Sequence, residues 1–150
     1  MTRSEAMERA LDLLSRAEAA YVTTLDAHGR PRTRAMFNLC NTAQFPGLTG
    51  FLDGERFTTF FTTNTSSSKV TDLRANPVVS VYYCLPLEFH GLMLGGEMEI
   101  VTDSATRRAI WQPGWTTYYP GGPDDPDHTI LRLAPSEARH YFQLESTRLV

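Results

Sequence analysis

The most informative segment of the chain reads Phe60-Phe61-Thr62-Thr63-Asn64-Thr65-Ser66-Ser67-Ser68-Lys69-Val70. It begins inside an apolar, β-branched run from Phe57 to Thr63 and passes into a hydroxyl-rich loop that ends at a lysine. A short helix is predicted over 70–75, because the proline at position 77 disfavours helical geometry in the residue before it. The pattern therefore predicts a strand, a polar loop and the start of a helix.

This strand, loop and helix could hold a phosphate group. The start of a helix supplies partial positive charge and free N–H groups, and Lys69 adds a full positive charge. A solvated loop rich in serine and threonine explains the same residues without any ligand. The segment by itself leaves both interpretations open.

A second segment, residues 21–39, predicts a β-hairpin whose turn is Asp26-Ala27-His28-Gly29. On the returning strand Arg30, Arg32 and Arg34 alternate with other residues. Side chains on a strand change faces with period two, so the three guanidinium groups should share one face. Such a face either keeps an edge strand soluble or binds an anion, and the planar donors of arginine suit a phosphate.

Three motifs then follow one another in a recognisable order. They are Gly29-x-Pro31-x-x-Arg34-x-Met36, Phe61-x-Thr63-(x)5-Lys69-Val70 and Asn76-Pro77-Val78-Val79-Ser80-Val81. Together they resemble the pyridoxamine 5'-phosphate oxidase-like family of FMN-binding split β-barrels, specifically its general stress protein branch. Later residues extend the resemblance to roughly positions 5–140: Trp111-x-x-x-Trp115, Asp125-Pro126-Asp127 and Pro135.

The resemblance implies a mainly β fold, a β-barrel with flanking helices, in one FMN-binding split-barrel domain over residues 1–150. An N-terminal helix is predicted over about 3–20, because Thr2 and Glu5 have capping-box spacing and apolar residues recur at three- and four-residue steps. The barrel is predicted over about 21–145, with a helix near 104–111. Its strands are expected near 21–26, 30–39, 48–53, 57–63, 78–84, 89–102, 128–134 and 138–145.

The resemblance also implies a cofactor site. The family's first FMN-binding run corresponds to residues 34–39, with Arg34 at the phosphate and the following backbone along the isoalloxazine ring. That following backbone belongs to Ala35, Met36, Phe37, Asn38 and Leu39. Thr62 and Thr63 are expected near the ring and the ribityl chain, and Lys69 matches the phosphate lysine of the family.

Aromatic residues near position 115 are a further part of the predicted site. Four aromatic residues could wall the flavin pocket from a partner subunit, or they could be buried as core aromatics or close the dimer interface: Trp111, Trp115, Tyr118 and Tyr119. Because the family places its flavin between two barrels, a homodimer with the flavin at the subunit interface is expected.

The sequence departs from the oxidase proper at three places. Ser68 stands where that enzyme has another basic residue, and Gly91 stands where it has a flavin-contacting glutamine. The C-terminal Arg-x-His motif, which helps to hold pyridoxamine phosphate, is absent from the segment 139–144, which reads Arg-His-Tyr-Phe-Gln-Leu. Oxidation of pyridoxamine phosphate is therefore not expected, and Arg32 or the loop hydroxyls are candidates to compensate for the charge missing at Ser68.

Three functions are consistent with these features. The first is an FMN-dependent oxidoreductase that passes electrons from NADH or NADPH to a small acceptor. The second is a flavin-binding protein with a sensing, storage or stress role and little turnover. The third keeps the barrel but binds the deazaflavin F420 or haem. The basic and hydroxyl residues Arg34, Thr62, Thr63 and Lys69 favour FMN.

Composition narrows the remaining classes. The net charge of −3 over 150 residues provides no electrostatic footprint for nucleic acid. No apolar run approaches the roughly 20 residues needed to span a membrane. Cys40 and Cys84 have no metal or CxxC spacing, so reduced thiols in a cytoplasmic protein are expected. No metal site is expected, since the four histidines lack ligand spacing: His28, His90, His128 and His140.

Overall fold

The computed structural model describes residues 1–150 and contains three α-helices and eight β-strands. The helices are α1 (Arg3–Arg16), α2 (Ser68–Ala75) and α3 (Ser104–Ile110). The strands are β1 (Ala19–Leu25), β2 (Pro31–Phe37), β3 (Thr59–Asn64), β4 (Val78–Leu85), β5 (His90–Val101), β6 (His128–Leu133), β7 (Glu137–Phe142) and β8 (Glu145–Arg148). None of the helices is long and apolar enough to cross a membrane.

All strand pairs are antiparallel and belong to one curled sheet with the order β2-β1-β4-β5-β6-β3. The long strand β5 connects the two parts of this sheet. Its first half pairs with β7, which in turn pairs with β8, and its second half pairs with β6. Gly96 lies at this change of partner, where an added Cβ would meet the backbone of Pro135 and Ser136 at 3.2–3.3 Å. The arrangement confirms the mainly β barrel with flanking helices.

The barrel is open along one line. Strands β2 and β3 stand at the two ends of the sheet path, and they approach each other without pairing. Both strands therefore leave backbone N–H and C=O groups unpaired by a neighbouring strand on that side. The split lies between the two segments that the sequence singled out.

Helix α1 packs against one face of the sheet and builds the main core. Its N-terminus has the predicted capping box, in which Thr2 and Glu5 each accept a hydrogen bond from the backbone N–H of the other. The helix ends at Arg16, earlier than the predicted 20, because Ala19 and Ala20 already pair with β2 as part of β1. Four of its side chains are buried against the sheet: Ala6, Ala10, Leu13 and Leu14.

A second, smaller core lies beside the barrel. It includes Phe45, Leu48, Ile110, Trp115 and Tyr119. The prediction of a strand near 48–53 is wrong. Pro46–Phe51 instead forms a 3-10 helix, which places the side chain of Leu48 in this core. Only one isolated bridge, between residues 53 and 58, has strand-like pairing there.

Candidate functional site

An open cleft of about 350 Å³ follows the split between β2 and β3. Its volume falls in the range of roughly 300–1,000 Å³ that is usual for small-molecule pockets. Strands β2 and β3 form its two long walls, α2 one end, and the segment after α3 the other. The lining residues are Glu18, Ala19, Ala35, Met36, Phe37, Thr62, Thr63, Asn64, Lys69, Tyr118 and Tyr119.

Lys69 lines a basic end of the cleft, and Arg34 lies close behind it. Lys69 lies in the first turn of α2, is half-buried and forms no salt bridge within the chain. Its pKa is lowered from the usual range, first by burial and then by the positive charge of Arg34. No side chain caps the start of α2, so its first N–H groups add to the positive potential. The first-turn amides and two cations fit an anionic group better than any neutral one.

The side chain of Arg34 is held in place by Thr24 and Asp72. Its Nη1 donates to Thr24 Oγ1 at 2.7 Å, and its Nη2 lies 3.8 Å from the buried carboxylate of Asp72. The hydroxyl of Thr24 also donates to Asp72 at 3.1 Å. Burial lowers the pKa of Arg34, and the charge of Asp72 opposes that shift. The guanidinium is therefore oriented before any ligand arrives.

The other two arginines of this hairpin do not reach Lys69. Arg32 lies 3.4 Å from the Asp26 carboxylate at the turn, and half of its side chain is exposed. Arg30 precedes β2, and its N–H donates to Asp26. Of the three candidates, only Arg34 stands close enough to Lys69 to alter its pKa.

The end of the cleft away from Lys69 has an aromatic wall. Phe37 of β2 contacts the ring of Tyr118 edge to face, with centroids 5.8 Å apart. Phe37 and Tyr118 are 40 % and 49 % exposed, so their rings are available to a ligand. Deeper in the wall, the hydroxyls of Thr62 and Tyr119 are 2.9 Å apart. The cleft thus joins a basic end to an aromatic wall with polar groups.

The two threonines of β3 face opposite sides, as successive residues of a strand must. Thr62 faces the aromatic wall through Tyr119, whereas the hydroxyl of Thr63 lies 3.5 Å from that of Ser67, next to the start of α2. The sequence analysis gave Thr62 and Thr63 the same expected place, whereas the structure separates their side chains. Thr63 belongs with the basic end, and Thr62 belongs with the aromatic wall.

Asp127 fixes the loop between β3 and α2. Its carboxylate accepts hydrogen bonds from the side chain of Asn64 at 2.7 Å and from the N–H of Ser66 at 2.8 Å. These bonds lower the pKa of Asp127. Asn64 also donates to the carbonyl of Tyr118 at 3.3 Å. The acidic turn has a structural role, because Asp127 holds the loop that joins β3 to α2 and Asn64 connects that loop to Tyr118.

Several predicted site residues lie outside the cleft. The side chain of Asn38 is fully buried and donates to the carbonyls of Leu14 and Ala17, which end helix α1. Leu39 packs in the second core, and Ser68 is exposed at the first position of α2. The cleft wall formed by β2 therefore runs from Ala35 to Phe37, with Arg34 behind it.

Trp115 is buried as a core aromatic, one of the two interpretations that the sequence left open, and it is not among the residues that line this cleft. Its ring is 5 % exposed and packs against Phe45 and Trp111 of the same chain. The reason is the Gly-containing turn at position 114, which has φ of +90° and directs the next residue into the second core. Tyr118 and Tyr119 occupy the cleft wall instead.

An exposed aromatic sheet face lies next to the cleft. Tyr21 of β1 pairs directly with Tyr82 of β4, and Tyr141 of β7 pairs with Gly91 of β5, so their side chains share one face. Each tyrosine is between 37 % and 42 % exposed. Gly91 has no room for a side chain, because the Tyr82 hydroxyl covers its Cα. The period-two spacing of side chains along β1 and β4 is the sequence signal that could have indicated this face.

A buried histidine pair lies away from the cleft. His90 and His140 are 4 % and 0 % exposed, and their Nε2 atoms are 2.8 Å apart. Both Nδ1 atoms lack a hydrogen-bond partner. Burial, together with the charges of His90 and Arg9, lowers the pKa of His140 to about 4. No sequence signal predicted this pair, since its members stand 50 positions apart.

Comparison with known proteins agrees with the fold. Residues 6–142 match the family model described as pyridoxamine 5'-phosphate oxidase. The fold is similar to a Clostridium acetobutylicum protein related to general stress protein 26 of B. subtilis, of the pyridoxinephosphate oxidase family. The TM-score is 0.79 and the identity 29 %, over 99 % of this chain and 95 % of that one.

Two further solved structures have the same fold. General stress protein 26 from Bacillus anthracis str. Sterne aligns with a TM-score of 0.71 and 20 % identity, over 95 % of this chain and 97 % of that one. A protein named F420 reductase aligns with a TM-score of 0.58 and 26 % identity, over 85 % of this chain and 93 % of that one. No curated protein matches the sequence significantly.

Proposed function

The chain belongs to the pyridoxamine 5'-phosphate oxidase family, and from that membership we propose that it is a cytoplasmic FMN-dependent oxidoreductase that passes electrons from NADH or NADPH to a small acceptor. When bound, the flavin supplies the redox chemistry. The residues of the chain bind the phosphate, orient the ring and shield one side of it from water.

The observation that carries the proposal is the polarity of the cleft. Its basic end has two cations, Lys69 and Arg34, and only one nearby carboxylate, Asp72. Its other wall presents the exposed rings of Phe37 and Tyr118. A ligand that combines a phosphate with a planar heterocycle matches both ends, and FMN is such a ligand.

The unpaired edges of β2 and β3 support the same assignment. Backbone N–H and C=O groups along the split can reach the polar edge of a planar ring without help from charged side chains. Glu18 is the one carboxylate among the residues that line the cleft. A largely neutral wall next to a basic end favours one phosphate over a ligand with many charges.

We do not propose oxidation of pyridoxamine phosphate. His140, the histidine nearest to the C-terminal motif of the oxidase proper, is fully buried and bonded to His90. Arg139 donates to Glu137 on the same strand. Neither side chain lines the cleft of its own chain, so neither is placed to hold a second phosphate there.

We further propose that the protein acts as a homodimer with the flavin between the subunits. The exposed tyrosines 21, 82 and 141 form a continuous face on the sheet that ends at Phe37, beside the cleft. Tyrosine is enriched at protein interfaces, and exposed aromatic faces of this kind usually cover a partner. A second copy on this face would close the open side of the cleft.

A deazaflavin is the second candidate ligand, because one similar structure is named F420 reductase. Both ligands present a planar ring and a phosphate, so the same cleft could hold either. The preference for FMN rests on Glu18, which would repel the acidic tail of F420 from the cleft mouth. A binding protein with a stress role and little turnover is a third candidate, and two of the similar structures are named for general stress protein 26.

The test begins with the absorbance spectrum and mass of any ligand that purifies with the protein. Flavin absorbance with the mass of FMN supports the proposal, whereas a deazaflavin or haem spectrum contradicts it. Steady-state oxidation of NADH and NADPH then separates an oxidoreductase from a binding protein without turnover. Turnover by the FMN-loaded protein, and none without FMN, is the expected result.

A labelling experiment adds a second test that needs no activity. Lys69 is the only lysine of the chain, so an amine-reactive reagent can modify only Lys69 and the N-terminus. FMN should protect Lys69 from modification and leave the N-terminal amine, which pairs with Glu145, equally reactive. Equal labelling of Lys69 with and without FMN would contradict the phosphate assignment.

A further inference from the structure

Thr62 and Tyr119 form a pair of hydroxyl groups in the wall of the cleft. Their oxygens are 2.9 Å apart, and neither side chain makes another hydrogen bond within the chain. Thr62 is 8 % exposed and Tyr119 is 3 % exposed, and both line the cleft. Two hydroxyls carry two hydrogens, and one bond between them uses only one. One O–H group is therefore left to donate to another acceptor.

The acidity of the two hydroxyls favours one direction for this hydrogen bond, in which either oxygen could be the donor. A phenol is a stronger donor than an aliphatic hydroxyl, since a tyrosine titrates near pH 10 and a threonine does not titrate in water. Burial raises the pKa of Tyr119 further, so the phenol keeps its proton at neutral pH. With Tyr119 donating, the oxygen of Thr62 accepts, and the hydrogen of Thr62 points elsewhere.

The surroundings hold Tyr119 in this position. Its ring lies 4.5 Å from the ring of His128 and 6.0 Å from that of Trp111, inside the second core. The Nδ1 of His128 is itself hydrogen-bonded to the carbonyl of Pro123 at 2.9 Å. Because this core is closely packed, the phenol cannot turn away from Thr62 without disturbing several rings.

We propose that Tyr119 is a positioning residue that orients the Thr62 hydroxyl as a donor to an acceptor atom on the planar ring of the bound ligand. The inference rests on the proposed flavin function and adds a selectivity to it. The cleft favours a ring with a carbonyl oxygen or an unprotonated nitrogen at the edge next to Thr62. Because Thr63 faces the basic end instead, this selectivity concerns the ring and not the phosphate.

The experiment is a double-mutant cycle on ligand affinity. Tyr119→Phe, Thr62→Val and the double variant are titrated with FMN, with riboflavin and with lumiflavin, which is the ring without its ribityl chain. Tyr83→Phe is the matched control, since it removes the hydroxyl of a tyrosine that is 1 % exposed in the main core, away from the cleft. Thr62→Ser is the conservative variant that keeps a hydroxyl at this position.

Each single variant should bind all three ligands more weakly by the same factor, about two- to tenfold, which corresponds to one neutral hydrogen bond. The double variant should bind no more weakly than Thr62→Val, because Tyr119 acts only through Thr62. Thr62→Ser should bind normally and should still lose affinity when Tyr119→Phe is added. Tyr83→Phe should lower stability without changing any affinity.

The contrary outcomes separate this inference from the function on which it rests. Normal affinities of Tyr119→Phe for all three flavins, or losses that add in the double variant, would overturn the positioning role and leave the flavin function intact. A loss confined to FMN would likewise overturn it, because the pair would then serve the phosphate. Failure of the unaltered protein to bind any flavin would overturn the proposed function together with this inference.

Discussion

The replacement of Lys69 by alanine tests the phosphate assignment most directly. The Lys69 ammonium is half-buried at the start of α2, forms no salt bridge, and has a pKa lowered by burial and by Arg34. No carboxylate of the chain forms a salt bridge with it, and Asp72, the carboxylate beside Arg34, is engaged by Arg34 and Thr24. A ligand phosphate would therefore be its main partner.

The magnitude follows from the kind of contact. A hydrogen bond between charged groups contributes about 1.5–3 kcal/mol, which is roughly ten- to hundredfold in affinity. Riboflavin lacks the phosphate, so Lys69→Ala should weaken FMN binding by that factor and leave riboflavin binding nearly unchanged. The same substitution removes repulsion with Arg34, so the variant should fold at least as stably as the unaltered protein.

The assay is titration of each flavin followed by quenching of its fluorescence. Arg74→Ala is the matched control, because Arg74 lies exposed in the last turn of the same helix and its loss changes the net charge equally. This control should bind both flavins normally. An equal loss for FMN and riboflavin in Lys69→Ala, or an equal loss in Arg74→Ala, would refute the assignment of Lys69 to the phosphate.

Three further predictions follow from other parts of the structure. Arg34→Lys should weaken FMN binding although it keeps the charge, because lysine lacks the bidentate fork of arginine. Arg30→Lys should change FMN binding little. If flavin titrations give the reverse order, the assignment of Arg34 to the phosphate is wrong. The free energy of unfolding should fall by about 1–3 kcal/mol between pH 6.5 and pH 4, because unfolded His140 binds a proton near pH 6.5 and the folded side chain does so only near pH 4. Denaturant titrations should find a smaller fall in the double variant His90→Gln, His140→Gln, and an unchanged fall would exclude the pair as its cause. Light scattering should give the mass of a dimer at micromolar concentration, and Tyr82→Arg should give a monomer; a monomeric unaltered protein with flavin bound would contradict the dimer.

The sequence by itself determined most of the barrel. Period-two alternation in the hairpin predicted the β1–β2 pair and one shared face for Arg30, Arg32 and Arg34. The register places Arg32 and Arg34 two residues apart on β2, whereas Arg30 precedes the strand. The capping box predicted that Thr2 caps the start of α1, which begins at Arg3. These features depend on residues close together in the chain, so the local pattern contains the information needed to predict them.

The predicted ends of elements were less accurate where tertiary pairing competes with local preference. The run 48–53 has strand-like residues, but Leu48 is turned into the second core, and the segment coils into a 3-10 helix. Helix α1 ends at Arg16 because Ala19 and Ala20, which follow it, already pair with β2 as part of β1. In both places a contact with a distant strand or core outweighs the local propensity.

Of the candidate site, the sequence singled out Arg34, Lys69 and the two threonines of β3, all of which lie in or beside one cleft. It did not distinguish Thr62 from Thr63. It also did not separate Tyr118 and Tyr119, which line the cleft, from Trp115, which is buried in the second core. The pairing of Thr62 with Tyr119 joins residues 57 positions apart, and that of His90 with His140 joins residues 50 apart. Local patterns determine which face a side chain takes on its own strand, but only the closure of the sheet and the path of the 113–127 loop decide which distant side chain it meets.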